Sequence, residues 1–171
     1  MSRQVRSFEE LLGFLRDENI AYREDPAAQI VELAVSSGPL EGTVLLRWER
    51  ELPYLQIVAP MIHEVPDERV RELEDALCRL NHALALPGFA YDFSRRRVYF
   101  RATVPVDADG VAAEVVKRAI LATIGNARDF LLPLRSVVDG DAGARVLALV
   151  LEQERARQAA RARDATSFFG D

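Results

Sequence analysis

Between about Gln29 and Ile62 apolar residues recur at every second position, and this period of two limits the fold more than any other feature of the chain. Val31, Leu33 and Val35 alternate with smaller or polar residues, Val44, Leu46 and Trp48 with Leu45, Arg47 and Glu49, and Leu55, Ile57, Ala59 and Met61 make a third set. Ser37-Gly38-Pro39, Gly42 and Pro53 break the pattern between them. Connections this short cannot carry a parallel crossover, so the segment is an antiparallel meander of three strands. Further on, Phe89, Tyr91 and Phe93 point one way, Ser94 to Arg97 turn, and Val98, Phe100, Ala102 and Val104 alternate with Arg97, Tyr99, Arg101 and Thr103. That is a hairpin.

Around these strands the period becomes helical. Ser7 precedes Glu10 at capping-box spacing, which places the Glu10 carboxylate within reach of the Ser7 amide, and Phe8, Leu11, Leu12 and Leu15 form one apolar stripe. Pro66-Asp67 opens a second helix along Val70, Leu73, Leu77, Leu80 and Leu84, which Pro87-Gly88 closes. A long third helix spans about Gly110 to Val138, with a bend or restart expected near Asp129 to Pro133 because proline lacks an amide and crowds the preceding turn. Each helix offers one stripe and the strands alternate, so the simplest architecture is α+β in the order α-β-β-β-α-β-β-α: about five antiparallel strands with helices on one face. Residues 1–140 make that domain. An Ala/Arg-rich helix is expected over 141–164, and residues 165–171 are expected to fray, with Phe168-Phe169 either docked on the domain or serving as a partner-binding anchor.

Composition narrows the function. A chain of 171 residues with 49% apolar and 29% charged residues can bury a substantial core without staples. The 27 acidic and 22 basic residues interleave to a net charge of −5, which does not suit nucleic acid as a partner. Cys78 is the single cysteine, so no intrachain disulfide forms, and no stretch reaches the roughly 20 apolar residues of a membrane span. A cytoplasmic protein without membrane contact is the expectation.

No catalytic constellation emerges. His63 and His82 lack partners at zinc-ligand spacing, and Cys78, beside the stripe of the second helix, is expected to be a buried, inert thiol. No Gly-x-Ser-x-Gly elbow occurs, and the nine glycines form neither phosphate-binding fingerprint. Glu72, Glu74 and Asp75 occupy a solvated helix face, and Arg95-Arg96-Arg97 falls at the hairpin tip as a solvated turn, a phosphate-contacting tip being the sharper alternative. No catalytic, cofactor or metal residues are assigned.

Tyr54-Leu55 leading to Ala59-Pro60, Val65-Pro66, Leu80-Asn81, Pro87-Gly88-Phe89, Val98-Tyr99-Phe100-Arg101 and Phe130-Leu131-Leu132-Pro133 together carry a resemblance over about Phe8 to Val138. The chain resembles the YbjN-type family, whose domain looks like the type III secretion chaperone fold. The resemblance implies a bacterial protein with no catalytic residues. The family name is attached to sensory-transduction regulation, while the chaperone-like fold implies binding an extended polypeptide and forming a homodimer. The expected function is therefore a non-catalytic chaperone-like or adaptor domain that binds a protein or peptide segment; a regulatory module acting through self-association is the alternative, and an unrecognised enzyme a third. Parity supplies the candidate surface. If Leu46, Ile57 and Phe100 face the helices, then Leu45, Arg47, Val58, Tyr99 and Arg101 face outward, an apolar centre with a polar rim suited to protein contact.

Overall fold

The computed structural model describes residues 3–49 and 51–140, together with 148 and 152. Along them run β1 (Gln4–Val5), α1 (Phe8–Asp17), β2 (Arg23–Asp25), β3 (Ile30–Ser37), β4 (Leu40–Trp48), β5 (Tyr54–Ile62), α2 (Val70–Ala83), β6 (Phe89–Asp92), β7 (Arg97–Pro105), β8 (Val111–Ala112) and α3 (Ala113–Asp139), with a 3-10 turn at Asp67–Arg69 leading into α2. The helix expected over 141–164 and the tail 165–171 with Phe168 and Phe169 lie, but for Ala148 and Glu152, outside the described residues.

The meander and the hairpin join in one antiparallel sheet of order β2-β3-β4-β5-β7-β6. It has six strands rather than five. The added strand, β2, is the exposed tripeptide Arg23-Glu24-Asp25, which pairs with Ile30–Glu32 at the sheet edge. With all three side chains in water it has no apolar period to betray it. β1 and β8 form a separate pair, each too short for periodicity. Between β3 and β4 the loop is only Gly38-Pro39, with Ser37 opposite Leu40, and glycine takes the left-handed first position at φ 59°.

Burial separates the two faces of the sheet. Val31, Leu46, Ile57 and Ala102 form one cross-strand row and are buried, whereas the next row, Glu32, Leu45, Val58 and Arg101, is partly or fully exposed. α2 and α3 pack on the buried face, and the apolar stripe of α1 belongs to the same core. Phe89 binds the layers together: its ring meets Phe100 edge-on at 4.9 Å and Phe130 of α3 at 5.5 Å.

The helix termini follow their sequence signals with one shift. Ser7 Oγ accepts the Glu10 amide at 3.2 Å, but the Glu10 carboxylate reaches past Ser7 and accepts the amide of Arg6 at 2.8 Å. α3 neither stops nor restarts at Pro133. Proline there is buried, and the amide it lacks would have met the carbonyl of Asp129 on the preceding turn. Gly140 ends α3 at φ 77°, where the Arg69 guanidinium occupies the space a Cβ would need. No helix among the described residues is long and apolar enough to cross a membrane.

One clasp fixes the entry to the hairpin. Asn81 on α2 accepts the amides of Gly88 and Phe89 at 3.0 and 2.9 Å and donates to the Phe89 carbonyl at 2.8 Å. Gly88 in turn accepts the Arg101 amide at 2.8 Å, so close to β7 that a Cβ would collide with the Arg101 carbonyl oxygen and touch the Phe100 ring. Asn81→Ala removes three part-buried hydrogen bonds and is expected to lower unfolding free energy by about 2 kcal/mol. Gly88→Ala, which forces two strands apart, should cost about as much or more. Conversely, the Thr123 hydroxyl is fully buried without a hydrogen-bond partner among the described residues, so Thr123→Val should stabilise by about 1 kcal/mol. Urea unfolding of the three variants checks these values; a neutral Gly88→Ala would contradict the close approach.

Candidate functional site

The outer face of the sheet carries a depression of about 300 Å³ across β3, β4, β5 and β7, and its lining includes Leu45, Arg47, Val58, Tyr99 and Arg101. All five outward residues inferred from parity are thus brought together. The register explains why: Leu45 stands opposite Val58, Val58 opposite Arg101, Arg47 opposite Gln56, and Tyr99 opposite Pro60. Leu45, Val58, Pro60 and Tyr99 make a half-exposed apolar floor.

Charge gathers at the rim. Arg47 is 3.0 Å from the Glu49 carboxylate. At the opposite end Arg95 and Arg97 share Asp92, at 3.4 and 4.0 Å. The Arg101 side chain is exposed and has no ionic or hydrogen-bond partner among the described residues. Arg97, in phase with Tyr99 and Arg101 on β7, lines this face too, although it was expected at the hairpin tip and not in the outward set. Asp92, the last residue of β6, stands opposite Arg97 and so shares this face by register, whereas Arg95 reaches the rim through the turn, which has no strand parity.

That turn also settles the basic run. Asp92 Oδ1 accepts the Ser94 hydroxyl at 2.6 Å and the amides of Ser94 and Arg95 at 3.0 and 3.1 Å. The Ser94 hydroxyl first, then those amides and the Arg95 guanidinium, hold the Asp92 carboxyl below its usual range against partial desolvation. Arg96, at φ 52°, points away from its neighbours, donates to the Val65 carbonyl at 2.9 and 3.2 Å and pairs with Asp67 at 2.8 Å. Three consecutive arginines therefore serve two faces. Phe93, expected in line with Phe89 and Tyr91, lies in the turn instead, exposed and edge-on to Tyr91.

The remaining candidates are scattered. Cys78 is exposed rather than buried, because the buried arc of α2 centres on Leu73, Ala76, Leu77, Leu80 and Ala83 and position 78 lies outside it. His63 and His82 are exposed, and no group of three His, Cys, Asp or Glu among the described residues is placed to hold a metal ion. A second, wider depression of about 560 Å³ mixes Glu64, Glu68 and Asp139 with Arg69 and Arg135; of its apolar lining Ile62 and Val138 are buried in the core and Pro66 alone is partly exposed.

The sequence pattern of the YbjN family, described as "Putative bacterial sensory transduction regulator", matches residues 7–136. No curated protein matches the chain. Among solved structures, the chain is similar to the crystal structure of YbjN, "a putative transcription regulator from E. coli", with a TM-score of 0.58 and 14% identity over 78% of this chain and 94% of that one. At that identity the likeness speaks for the fold.

Asp92 supplies a pH test. Its folded-state acidity is raised relative to the unfolded chain, so its contribution to stability is present above the unfolded value, about 3.9, and is lost as pH falls through the lower folded value. Asp92→Asn should therefore be less stable than the parent at neutral pH, with the difference closing in acid. Parallel melts across that range check this; a constant difference would show that the hydrogen bonds do not depend on charge.

Proposed function

The chain belongs to the YbjN family, and from that premise we propose that it is a non-catalytic, chaperone-like or adaptor domain of the cytoplasm that holds a segment of another protein against the outer face of its sheet. One observation carries the reading. The face opposite the helices has a half-exposed apolar floor, Leu45, Val58 and Tyr99, ringed by arginines and set in a depression of about 300 Å³. Such a floor costs solvation while uncovered, and a partner that fills it gains hydrophobic burial at the centre and charge contacts at the rim. The regulatory description of the family accords with a role exerted through binding.

A second reading, a regulator acting through self-association, is favoured by the sheet edge. β2 covers β3 only over Ile30–Glu32, which leaves Leu33–Ser37 without a strand on that side among the described residues. Open strand edges are templates for pairing with another chain. Two copies could pair there.

Tyr99→Asp tests the primary reading. Tyr99 is partly exposed, so unfolding free energy should stay within about 1 kcal/mol of the parent while association measured by light scattering and pull-down is lost. A folded variant with unchanged association would remove this face from consideration. A dimer that survives the substitution would favour the β3 edge.

A further inference from the structure

From the charges around the depression we infer that the segment it receives is acidic: carboxylates of a partner protein on Arg101 and Arg97, flanking an apolar side chain seated on Leu45, Val58 and Tyr99. The inference rests on the outer face being the binding surface and specifies the chemistry of what binds there.

The sign of the charge is the first argument. The chain as a whole carries −5, yet the lining of this depression holds four arginines, Arg47, Arg95, Arg97 and Arg101, against the single carboxylate of Asp92. Asp92 is already engaged by the Ser94 hydroxyl and two amides, and it is shared between Arg95 and Arg97. Arg47 has Glu49, and Glu32 stands beyond Leu45 on the β3 side, opposite Arg23. Counter-charge thus lies towards β3, β4 and the turn. Among the described residues, Arg101, at the β7 side of the floor, is the lining arginine without a counter-charge.

The second argument is the combination of residues. Exposed arginines in water contribute little. A partner that covers Leu45, Val58 and Tyr99 excludes water from the rim, where arginine–carboxylate pairs become stronger and their planar forks impose geometry. A phosphate backbone shares the attraction to arginine, but a nucleic acid running beyond the depression would meet the acidic remainder of the surface. A peptide can place its carboxylates where the arginines stand and nowhere else.

The test uses the full chain and four fluorescein-labelled probes: a peptide of glutamates flanking one leucine, the same peptide with glutamine for glutamate, the same peptide with lysine for glutamate, and a single-stranded oligonucleotide of similar length. Fluorescence anisotropy should show the glutamate peptide binding about tenfold or more tightly than the glutamine peptide. Its affinity should fall as salt rises from about 0.05 to about 0.5 M, as screening requires. Arg101→Glu, whose side chain has no partner to lose, should keep the parent thermal midpoint, lose about tenfold or more towards the glutamate peptide, and gain affinity for a lysine-for-glutamate peptide. Equal affinity for the glutamate and glutamine peptides, tighter binding of the oligonucleotide, or no binding of the glutamate peptide overturns the inference. The two levels separate cleanly: equal affinities that Tyr99→Asp abolishes refute acidity and leave the face standing, whereas parent-like glutamate-peptide binding in both Arg101→Glu and Tyr99→Asp refutes the face as well.

Discussion

Burial of one cross-strand row, Val31, Leu46, Ile57 and Ala102, decides where every other sheet residue points. Side chains alternate strictly along a strand, so a register slip of one residue would carry Arg47 and Arg101 into the core and Leu46 and Ala102 into water. Neither charge could be desolvated there without a partner, at a cost of several kcal/mol each. The helices enforce the choice by covering only one face. The outer depression is therefore a consequence of core packing: its arginines and its apolar floor stand together because their neighbours one residue away are needed inside.

How far the chain could be understood from its sequence follows the same logic. Wherever a face is buried, the period of two or of 3.6 discloses it, and so the meander, the hairpin, the helix stripes and the outward set Leu45, Arg47, Val58, Tyr99 and Arg101 were all visible. β2 was not, because an edge strand of three exposed charged residues pairs by backbone alone. The exposure of Cys78 was not visible either, because that residue borders the apolar stripe yet lies outside the narrower arc that α2 buries. The hairpin tip was opaque for a third reason: Asp92 gathers Ser94 and Arg95 by local hydrogen bonds, and Arg96 in a left-handed conformation turns to Val65 and Asp67, so linear proximity of the three arginines says nothing about their shared direction.

The resemblance motifs acquire a physical meaning once the clasp between α2 and the hairpin is considered. Leu80-Asn81, Pro87-Gly88-Phe89 and Val98-Tyr99-Phe100-Arg101 are remote in sequence but form one contact set: Asn81 grips Gly88 and Phe89, Gly88 accepts the Arg101 amide, and Phe89 meets Phe100. Leu80 and Phe100 are fully buried beneath it. None of these contacts needs the outward side chains of Tyr99 or Arg101. They fix the backbone of β7 and leave its solvent face free to vary.

That separation bears on what family membership can carry. In this chain the clasp holds β7 at Arg101 through the Gly88 carbonyl, and parity then sets which side chains face outward. It does not fix which side chains occupy the outward positions, since the core makes no demand on those. The position of the surface thus follows from packing, while its chemistry, here arginines over an apolar floor, follows from side chains that the core does not constrain. A change of charge at those outward positions can therefore alter the surface without disturbing the fold.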